Sequence, residues 1–380
     1  MNLFSTQKDV SGVKNALIIQ ALNSFVWGVM YVLLPILMLE RKISIESMGL
    51  IFAVLPLVLQ ASRMIFGVIS DHVGRKKFYW LNGIANIISL LAYCLANNPF
   101  TFLIGKVSEA IKEASIWSVN RAYFLDHSQK AEKSLMKMRG IGYIFYAIGI
   151  LGAGFFITNL FYNKTLFALI ILSFLIFPNV SKLIDGEKRE ISILAIIDAF
   201  NINNKSKKFK TFFWLYFIIG LYYGLIGGYV FPLFLKEAGT SIEQIGLILG
   251  MQSLLGGIAI YSLRSWGKGK YKLLIGGILN ALSFVCIIFS PQIFLPAIIV
   301  FSGIFGGLFD AGGETIFVET ASRESLAGDI SLLMIGINVG ASVAQAVSGF
   351  IISSFGFAAL FIGAAFLNLT FSVLAFQNME

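Results

Sequence analysis

Long apolar stretches separated by short polar segments make up nearly the whole chain. An α-helix needs about 20 apolar residues to cross the hydrocarbon core of a bilayer, and each stretch has roughly that length. The pattern predicts an all-α membrane protein with twelve transmembrane helices. These predicted spans, which we number 1 to 12, cover 14–39, 45–70, 78–96, 100–123, 137–160, 164–182, 211–236, 242–264, 273–290, 294–320, 329–354 and 357–377.

A polar break divides the predicted spans into six and six. It carries charged residues at both ends, over 184–189 and 205–210. Between them, Ile191, Leu194 and Ile197 have the spacing of a short amphipathic helix on the membrane surface, although a charged tether explains the break equally well. The predicted parts are an N-terminal six-helix bundle over 1–183, a cytoplasmic linker over 184–210 and a C-terminal six-helix bundle over 211–380.

Composition agrees with a membrane protein and excludes most alternatives. Hydrophobic residues make up 57% of the chain and charged residues 13%, which is too little polar surface to cover soluble domains. Cys94 and Cys286 both lie inside apolar stretches, so neither a disulfide framework nor a cysteine metal site is expected, and no cofactor is predicted. The first apolar stretch is too long for a signal peptide and is predicted to be retained.

Lysine and arginine are distributed unequally between the two sides of the predicted topology. One side has only Arg41, Lys42, Lys164 and Lys236 in its loops, whereas the opposite side carries many more basic residues. Short cytoplasmic segments retain basic residues, so both termini are predicted to be cytoplasmic in a multi-pass protein of the plasma membrane. These loops account for the net charge of +9, and nucleic acid is not an expected partner.

The two halves of the chain contain a repeated sequence. Pro35–Ile51 reads PILMLERKISIESMGLI and Pro232–Ile248 reads PLFLKEAGTSIEQIGLI, with the proline, a glutamate, Ser-Ile-Glu and Gly-Leu-Ile at a constant offset of 197 residues. Further on, Gly74 corresponds to Gly267 at an offset of 193. Such repetition is typical of transporters with duplicated halves.

The loop between spans 2 and 3 carries the most specific motif. Gly67–Lys77 has the spacing G-x-x-x-D-x-x-G-R-K-K, which resembles the signature loop between helices 2 and 3 of the major facilitator superfamily of transporters. Together with the predicted spans and the repeat, this resemblance extends over the whole chain. It implies two pseudo-symmetric bundles around a central cavity, which is lined mainly by spans 1, 4, 7 and 10 and opens alternately to either side as the bundles rock.

The same resemblance implies a conformational latch at the cytoplasmic face, formed by Gly67, Asp71, Gly74, Arg75, Lys76 and Asp126. Gly67 is expected to let helices approach closely, and Gly74 to reverse the backbone. Asp126 is predicted to pair with Arg75. Asp71 is expected to face the N-terminal end of span 11 near Asp329, although Asp329 would also repel it.

Span 4 contains four charged residues, Lys106, Glu109, Lys112 and Glu113. Each charge facing lipid would cost about 2.5–3.5 kcal/mol, so we expect them to face a wet interior. Lys106, Glu109 and Glu113 lie within one arc of the helix, and Lys112 is placed to pair with either glutamate. The resemblance makes Lys106 the counterpart of a basic residue linked to proton transfer; the alternative is a structural ion pair within span 4.

Span 10 contains two carboxylates one turn apart, Asp310 and Glu314. Carboxylates buried in a span exchange protons near neutral pH more readily than exposed ones, which is what proton coupling requires. Further cavity residues are predicted on spans 1 and 7, and these are Asn23, Trp27, Tyr31, Tyr222 and Tyr223. Aromatic side chains in membrane helices also serve as packing or interfacial anchors, so this second interpretation stays open.

The favoured function is secondary active transport of a small organic solute by alternating access, with proton coupling and with export of amphipathic or cationic compounds slightly preferred. Proton-linked uptake of a nutrient is the alternative, and a receptor without flux is a more remote one. An intramembrane enzyme is disfavoured because zinc motifs and nucleophile elbows are missing from the sequence. Expected partners are the solute, protons and the lipid bilayer, and a monomer is expected.

Overall fold

The computed structural model describes residues 3–127, 131–185, 202, 205–263, 266–320 and 326–379, and these residues form helices and short connections without a strand. Spans 1 to 4 are the helices Leu3–Glu40, Ile45–Val73, Lys76–Leu95 and Pro99–His127. Spans 5 and 6 are formed by Ala131–Phe174 and Ile176–Ser181. The second half consists of Lys207–Ile226 and Val230–Glu237 in span 7, Ile242–Leu263 in span 8, Gly269–Phe289 in span 9, the 3₁₀ helix Gln292–Phe294 with Leu295–Thr320 in span 10, and Leu326–Asn378 in spans 11 and 12.

Nine helices within the described part of the chain are long and apolar enough to cross a membrane. Two of them are 48 and 50 residues long, and each contains one residue of left-handed φ, Phe161 at 61° and Gly356 at 77°. At the first of these breaks the chain turns back sharply, since the hydroxyl of Thr165 donates to the carbonyl of Phe156 at 3.0 Å. Span 4 is outside this count because of its charges. Twelve crossings are compatible with these features, and the exact number stays a prediction.

The helix of span 7, which was predicted over 211–236, is interrupted within the span. The helix stops at Ile226 and resumes at Val230, with Gly228 between them at a φ of 66°. A glycine is required there because an added Cβ would lie 2.5 Å from Cδ1 of Phe52 in span 2. The amphipathic helix predicted around Ile191, Leu194 and Ile197 falls outside the described residues, and the limits of the three predicted parts stay a prediction.

The sequence repeat has a counterpart in the backbone. Lys42 after span 1 and Gly239 after span 7 are 197 residues apart, and both have left-handed φ, 58° and 78°. In each case the amide of the next residue donates at 3.0 Å to the carbonyl five residues before it, as in a Schellman cap. Gly74 and Gly267, 193 residues apart, also share positive φ, at 97° and 61°. The two halves therefore use the same turns at corresponding places.

Large apolar side chains cover much of the outer surface, as expected where lipid replaces water. Trp214, Phe167, Phe289 and Phe366 are examples that are more than half exposed. We call the end of the bundle that carries Arg75, Lys76, Lys77, Lys268 and Lys270 the basic end. The opposite end, which carries the loops at 41–44 and 238–241, is the far end.

Candidate functional site

Spans 2 and 11 touch through glycines at the far end. A Cβ added to Gly49 of span 2 would lie 2.7 Å from the carbonyl oxygen of Gln345 and 3.0 Å from the amide nitrogen of Gly349. A Cβ on Gly349 would in turn collide with the carbonyl of Ile45. Because the backbones themselves are in contact, only glycine fits on either side.

Spans 5 and 8 close the same end in the same way. A Cβ added to Gly154 of span 5 would lie 2.5 Å from Cα of Glu243, and one on Gly246 would lie 3.0 Å from the amide nitrogen of Gly154. One turn deeper, a Cβ on Gly250 would lie 2.5 Å from Cγ of Leu151. Two pairs of helices, each with one member from either half, thus hold the far end shut.

Both pairs diverge toward the basic end. The amide of Asn338 in span 11 donates to Gln60 of span 2 at 2.7 Å, but about two turns further along the same face of span 2 an added Cβ on Gly67 would have no atom within 4 Å. A Cβ on Gly257 of span 8 would be 3.8 Å from Cβ of Tyr143 in span 5, and one on Gly140, about a turn further along span 5 toward the basic end, would meet nothing within 4 Å. The space between the halves therefore widens toward the basic end.

The expectation that Gly67 allows close helix approach is thus wrong for this conformation. Its side of span 2 faces the widening gap, so no helix comes near it. Motif spacing identified the residue, but the distance between the halves depends on the conformational state, which local sequence does not specify.

An aromatic contact between the halves lies just below the far-end glycines. The rings of Phe52 in span 2 and Tyr229 in span 7 are 5.1 Å apart, and both side chains are buried. The Tyr229 hydroxyl lies 2.7 Å from the hydroxyl of Ser348 in span 11. Nearby, the Ser342 hydroxyl donates to the carbonyl of Ala53 at 2.6 Å. Sequence analysis missed Phe52 altogether because nothing in the local pattern distinguishes it from other apolar residues of span 2.

The four charged residues of span 4 form two ion pairs inside the N-terminal half. The Lys106 ammonium lies 3.0 Å from Oε2 of Glu109, which also accepts a hydrogen bond from the Tyr93 hydroxyl. The Lys112 ammonium lies 2.6 Å from Oε1 of Glu113. Each of these four residues is 5% exposed or less, so charge is satisfied by charge rather than by solvent, and the expectation that they face a wet interior is wrong for this conformation.

The two ion pairs contact different surroundings. The Lys106 ammonium lies 4.1 Å from the ring centroid of Phe52, which brings the first pair to the contact between the halves. Glu113 accepts a hydrogen bond from Nε1 of Trp117 at 3.0 Å, and Trp117 is 48% exposed on the same side of span 4. The second pair therefore lies one side chain away from an exposed aromatic surface.

In the C-terminal half, Asp310 of span 10 accepts a hydrogen bond from the Tyr223 hydroxyl at 2.8 Å. Tyr222 lies behind Tyr223, with ring centroids 5.1 Å apart, and its hydroxyl accepts from the amide of Asn280 in span 9. Tyr222 is buried, so the prediction that it lines the cavity is wrong: it supports Tyr223 instead. Glu314 lies in the same helix as Asp310, but its side chain is outside the described residues.

Span 1 contributes less to the cavity than its polar residues predicted. Asn23 is 3% exposed and donates to Oδ1 of Asn82 in span 3 at 2.8 Å, so it joins two helices of one bundle and its predicted place in the cavity is wrong. Trp27 is 38% exposed and packs against Tyr146 of span 5 at 5.0 Å. Tyr31 is partly exposed and packs against the same ring at 6.1 Å.

The loop at the basic end holds a network within the N-terminal half. The Arg75 guanidinium contacts the Asp126 carboxylate, as its position in the motif predicts, and lies 3.1 Å from Asp71. Gly74 has a φ of 97°, which allows the predicted chain reversal. The Lys76 ammonium donates a hydrogen bond to the carbonyl of Ser181 at 2.7 Å.

Two features of this loop differ from expectation. Asp185, which sequence analysis missed, accepts from the backbone amide of Lys76 at 2.8 Å and so caps the start of span 3. The expected approach of Asp71 to Asp329 is not among the contacts of the described residues, and the carboxylate of Asp329 lies 2.7 Å from the ammonium of Lys205. The reason is the separation of the two halves at this end.

The comparisons with known proteins agree with this geometry. The family model of the Major Facilitator Superfamily matches residues 16–267 and, in a second match, residues 212–378. The chain belongs to this superfamily. No curated protein sequence matches the chain. Membership makes this an all-helical transporter of a solute rather than an enzyme.

Solved structures of the superfamily have the same fold as the chain over nearly its full length. The nucleoside transporter NupG superimposes with a TM-score of 0.78 at 18% identity, covering 96% of this chain and 98% of that one. The human organic anion transporter MFSD10 (TETRAN) has a TM-score of 0.70 at 14% identity, with 96% and 99% covered. A POT family transporter in complex with a thioalcohol-conjugated peptide has a TM-score of 0.73 at 12% identity, with 96% and 95% covered.

Proposed function

We propose that this superfamily member is a proton-coupled secondary transporter that moves a small organic solute by alternating access. The observation that carries the proposal is the contrast between the two ends: glycine-mediated backbone contacts close the far end, whereas Gly67 and Gly140 on the same helices face open space. Rocking of the halves against each other would reverse this contrast. The latch of Gly67, Asp71, Gly74, Arg75, Lys76 and Asp126 would then hold the basic end shut.

Proton coupling is supported by the carboxylates that lie between the two ends. In the N-terminal half, Glu109 is buried beside Lys106 and next to the contact between the halves. In the C-terminal half, Asp310 accepts a hydrogen bond from the Tyr223 hydroxyl. A buried carboxylate changes its charge when a neighbouring cation moves or when a solute displaces its partner. Protonation at Glu109 or Asp310 can therefore be linked to the movement of the halves.

An organic solute is supported by the exposed side chains of the cavity. Trp27, Trp117 and Tyr143 are between 38% and 50% exposed and offer flat amphipathic surfaces, and Trp117 is hydrogen-bonded to Glu113. Acidic and aromatic groups together favour amphipathic or cationic compounds, and we propose export as the direction. The solved relatives are named for nucleosides, a conjugated peptide and organic anions, all of which are organic solutes.

Orientation follows from the distribution of basic residues. Because positively charged loops are retained in the cytoplasm, we assign the basic end and both termini to the cytoplasmic side of the plasma membrane. The conformation described above is then open to the cytoplasm. We also propose that the two bundles, joined by the linker 184–210, act as one monomeric unit.

The proposal predicts a solute-triggered proton flux in liposomes with a pH-sensitive dye inside. When pools of metabolites and amphipathic cations are added outside, an antiporter raises the internal pH and a symporter lowers it, which separates export from uptake. Lys106→Gln/Glu109→Gln, which leaves no unpaired buried charge, and Asp310→Asn are expected to reduce the proton flux to below about a tenth, because each replaces a proton-exchanging carboxylate by an amide.

Glu40→Gln is the matched control, since Glu40 is an exposed acid at the far end of span 1, and it should keep the full flux. Solute movement without any proton flux in the unmodified protein would refute the coupling. A protein that binds solutes without moving them would instead be a receptor.

If the latch exists, a change in it should impair transport without impairing folding. Asp71→Asn is expected to slow transport about fivefold or more while leaving membrane insertion and the melting temperature nearly unchanged, because a partly exposed ion pair contributes only about 0.2–1 kcal/mol to stability. Transport should be measured in liposomes at equal protein amounts. Lys77→Gln, which changes an exposed neighbouring charge, is the control. Normal transport by Asp71→Asn would eliminate the latch.

A further inference from the structure

Phe52 lies between a cation of its own half and an aromatic ring of the other half. The Lys106 ammonium is 4.1 Å from its ring centroid, and the Tyr229 ring is 5.1 Å away. Phe52 is buried, and the backbone of Gly228 passes so close that a Cβ there would collide with the ring. The position of this ring therefore decides whether span 7 can pack against span 2.

The Lys106 ammonium is in turn fixed by an ion pair with Glu109. Oε2 of Glu109 lies 3.0 Å away and is bonded to the Tyr93 hydroxyl of span 3, so the ammonium cannot move without breaking a buried ion pair. The other charged groups that interact with Lys106 are Lys112 and Glu113 on its own helix. A cation so placed, within about 6 Å of an aromatic centroid and away from water, is attracted to the ring and restricts its orientation.

Resting on the proposed function, we infer that Phe52 is the gate residue of the far end and that Lys106 is the residue that positions its ring. A connected series of contacts runs from the buried carboxylate to the opposite half, through Glu109, Lys106, Phe52, Tyr229 and Ser348. Any solute or proton that weakens the hold of Glu109 on Lys106 releases the ring. The far end then opens.

A double-mutant cycle tests this inference without any knowledge of the solute. Cys94 and Cys286 are first replaced by serine, and spin labels are attached to cysteines at Glu40 and Glu237, which are exposed, lie at the far end and correspond through the repeat. The distance distribution gives the ratio of far-end-open to far-end-closed protein. The cycle combines Phe52→Leu with the neutral pair Lys106→Gln/Glu109→Gln, which leaves no unpaired buried charge.

Phe52→Leu is expected to raise the open-to-closed ratio about two- to thirtyfold, the range that a cation–π contact of ordinary strength gives. The neutral pair should raise the ratio by a similar factor alone and by less than about twofold in the Phe52→Leu background. Phe52→Tyr keeps a ring and should stay near the unmodified ratio.

Two results would overturn the inference: an unchanged ratio in Phe52→Leu, or the same fold-change of the neutral pair in both backgrounds, which would mean that Lys106 acts independently of the ring. The proposed function is judged separately, by flux in the unmodified protein. A nonadditive cycle in a protein without flux would support the gate inference and refute the proposed transport function. Flux in a protein with an additive cycle would support the transport function and refute the gate inference.

Discussion

Lys106→Met is expected to lower the free energy of unfolding by about 3–5 kcal/mol, because removal of one member of a buried ion pair leaves the other charge uncompensated. Glu109 would keep its hydrogen bond from Tyr93 but lose the ammonium at 3.0 Å, in a place where water does not reach it. The melting temperature of the purified protein in detergent measures the effect.

Two further variants make this result specific. Lys106→Met/Glu109→Gln should recover most of the lost stability, since neither charge then remains, and Lys236→Met should change nothing, since Lys236 is exposed. The double variant Lys106→Met/Glu109→Gln should nevertheless lack proton-coupled transport if Glu109 exchanges the proton. A fully stable Lys106→Met protein would contradict the ion pair, and a double variant with normal coupled transport would assign this pair a purely structural role.

Leucine at Gly49 and leucine at Gly67 are expected to trap the protein in opposite conformations. At Gly49 the side chain would enter the backbone of span 11, 2.7 Å from a carbonyl oxygen, and force the far end apart. At Gly67 the side chain fits the present conformation but would obstruct closure of the basic end. Overpacking costs about 1–3 kcal/mol, and each 1.4 kcal/mol is a tenfold change in population.

Transport by both variants should therefore fall below about a tenth, with the Glu40–Glu237 label distance longer in Gly49→Leu and unchanged or shorter in Gly67→Leu. Gly49→Ala provides a milder variant in case the larger side chain prevents insertion. If both leucine variants shift the label distance in the same direction, the two glycines do not mark opposite ends of a rocking movement.

Residues whose role depends on nearby sequence were predictable. The turn at Gly74, the contact of Arg75 with Asp126 and the pairing of Lys106 with Glu109 three residues later all follow from a motif or from helical spacing. The repeat predicted corresponding turns, and Lys42 and Gly239 share one. In each case the partners lie on one helix, on one loop or in one bundle, where spacing fixes the geometry.

Residues whose role depends on packing between helices were not predictable. Asn23 and Trp27 are one turn apart on span 1, yet Asn23 packs against span 3 while Trp27 is exposed, because a helical arc does not reveal which neighbour covers it. Phe52 and Tyr229 come from different halves, and their contact exists only because the far end is closed. The open space beside Gly67 likewise depends on the conformation, because the halves are apart at the basic end while the far end is closed.

The most direct test of alternating access is a pair of distances measured in the same lipid bilayer, one at each end. Labels at Glu40 and Glu237 report the far end, and labels at Lys77 and Lys268, which are also exposed, report the basic end. A shift in pH or the addition of a transported solute should lengthen the far-end distance in the same fraction of molecules in which it shortens the basic-end distance. Two distances that stay constant during transport, or that lengthen together, would contradict the account.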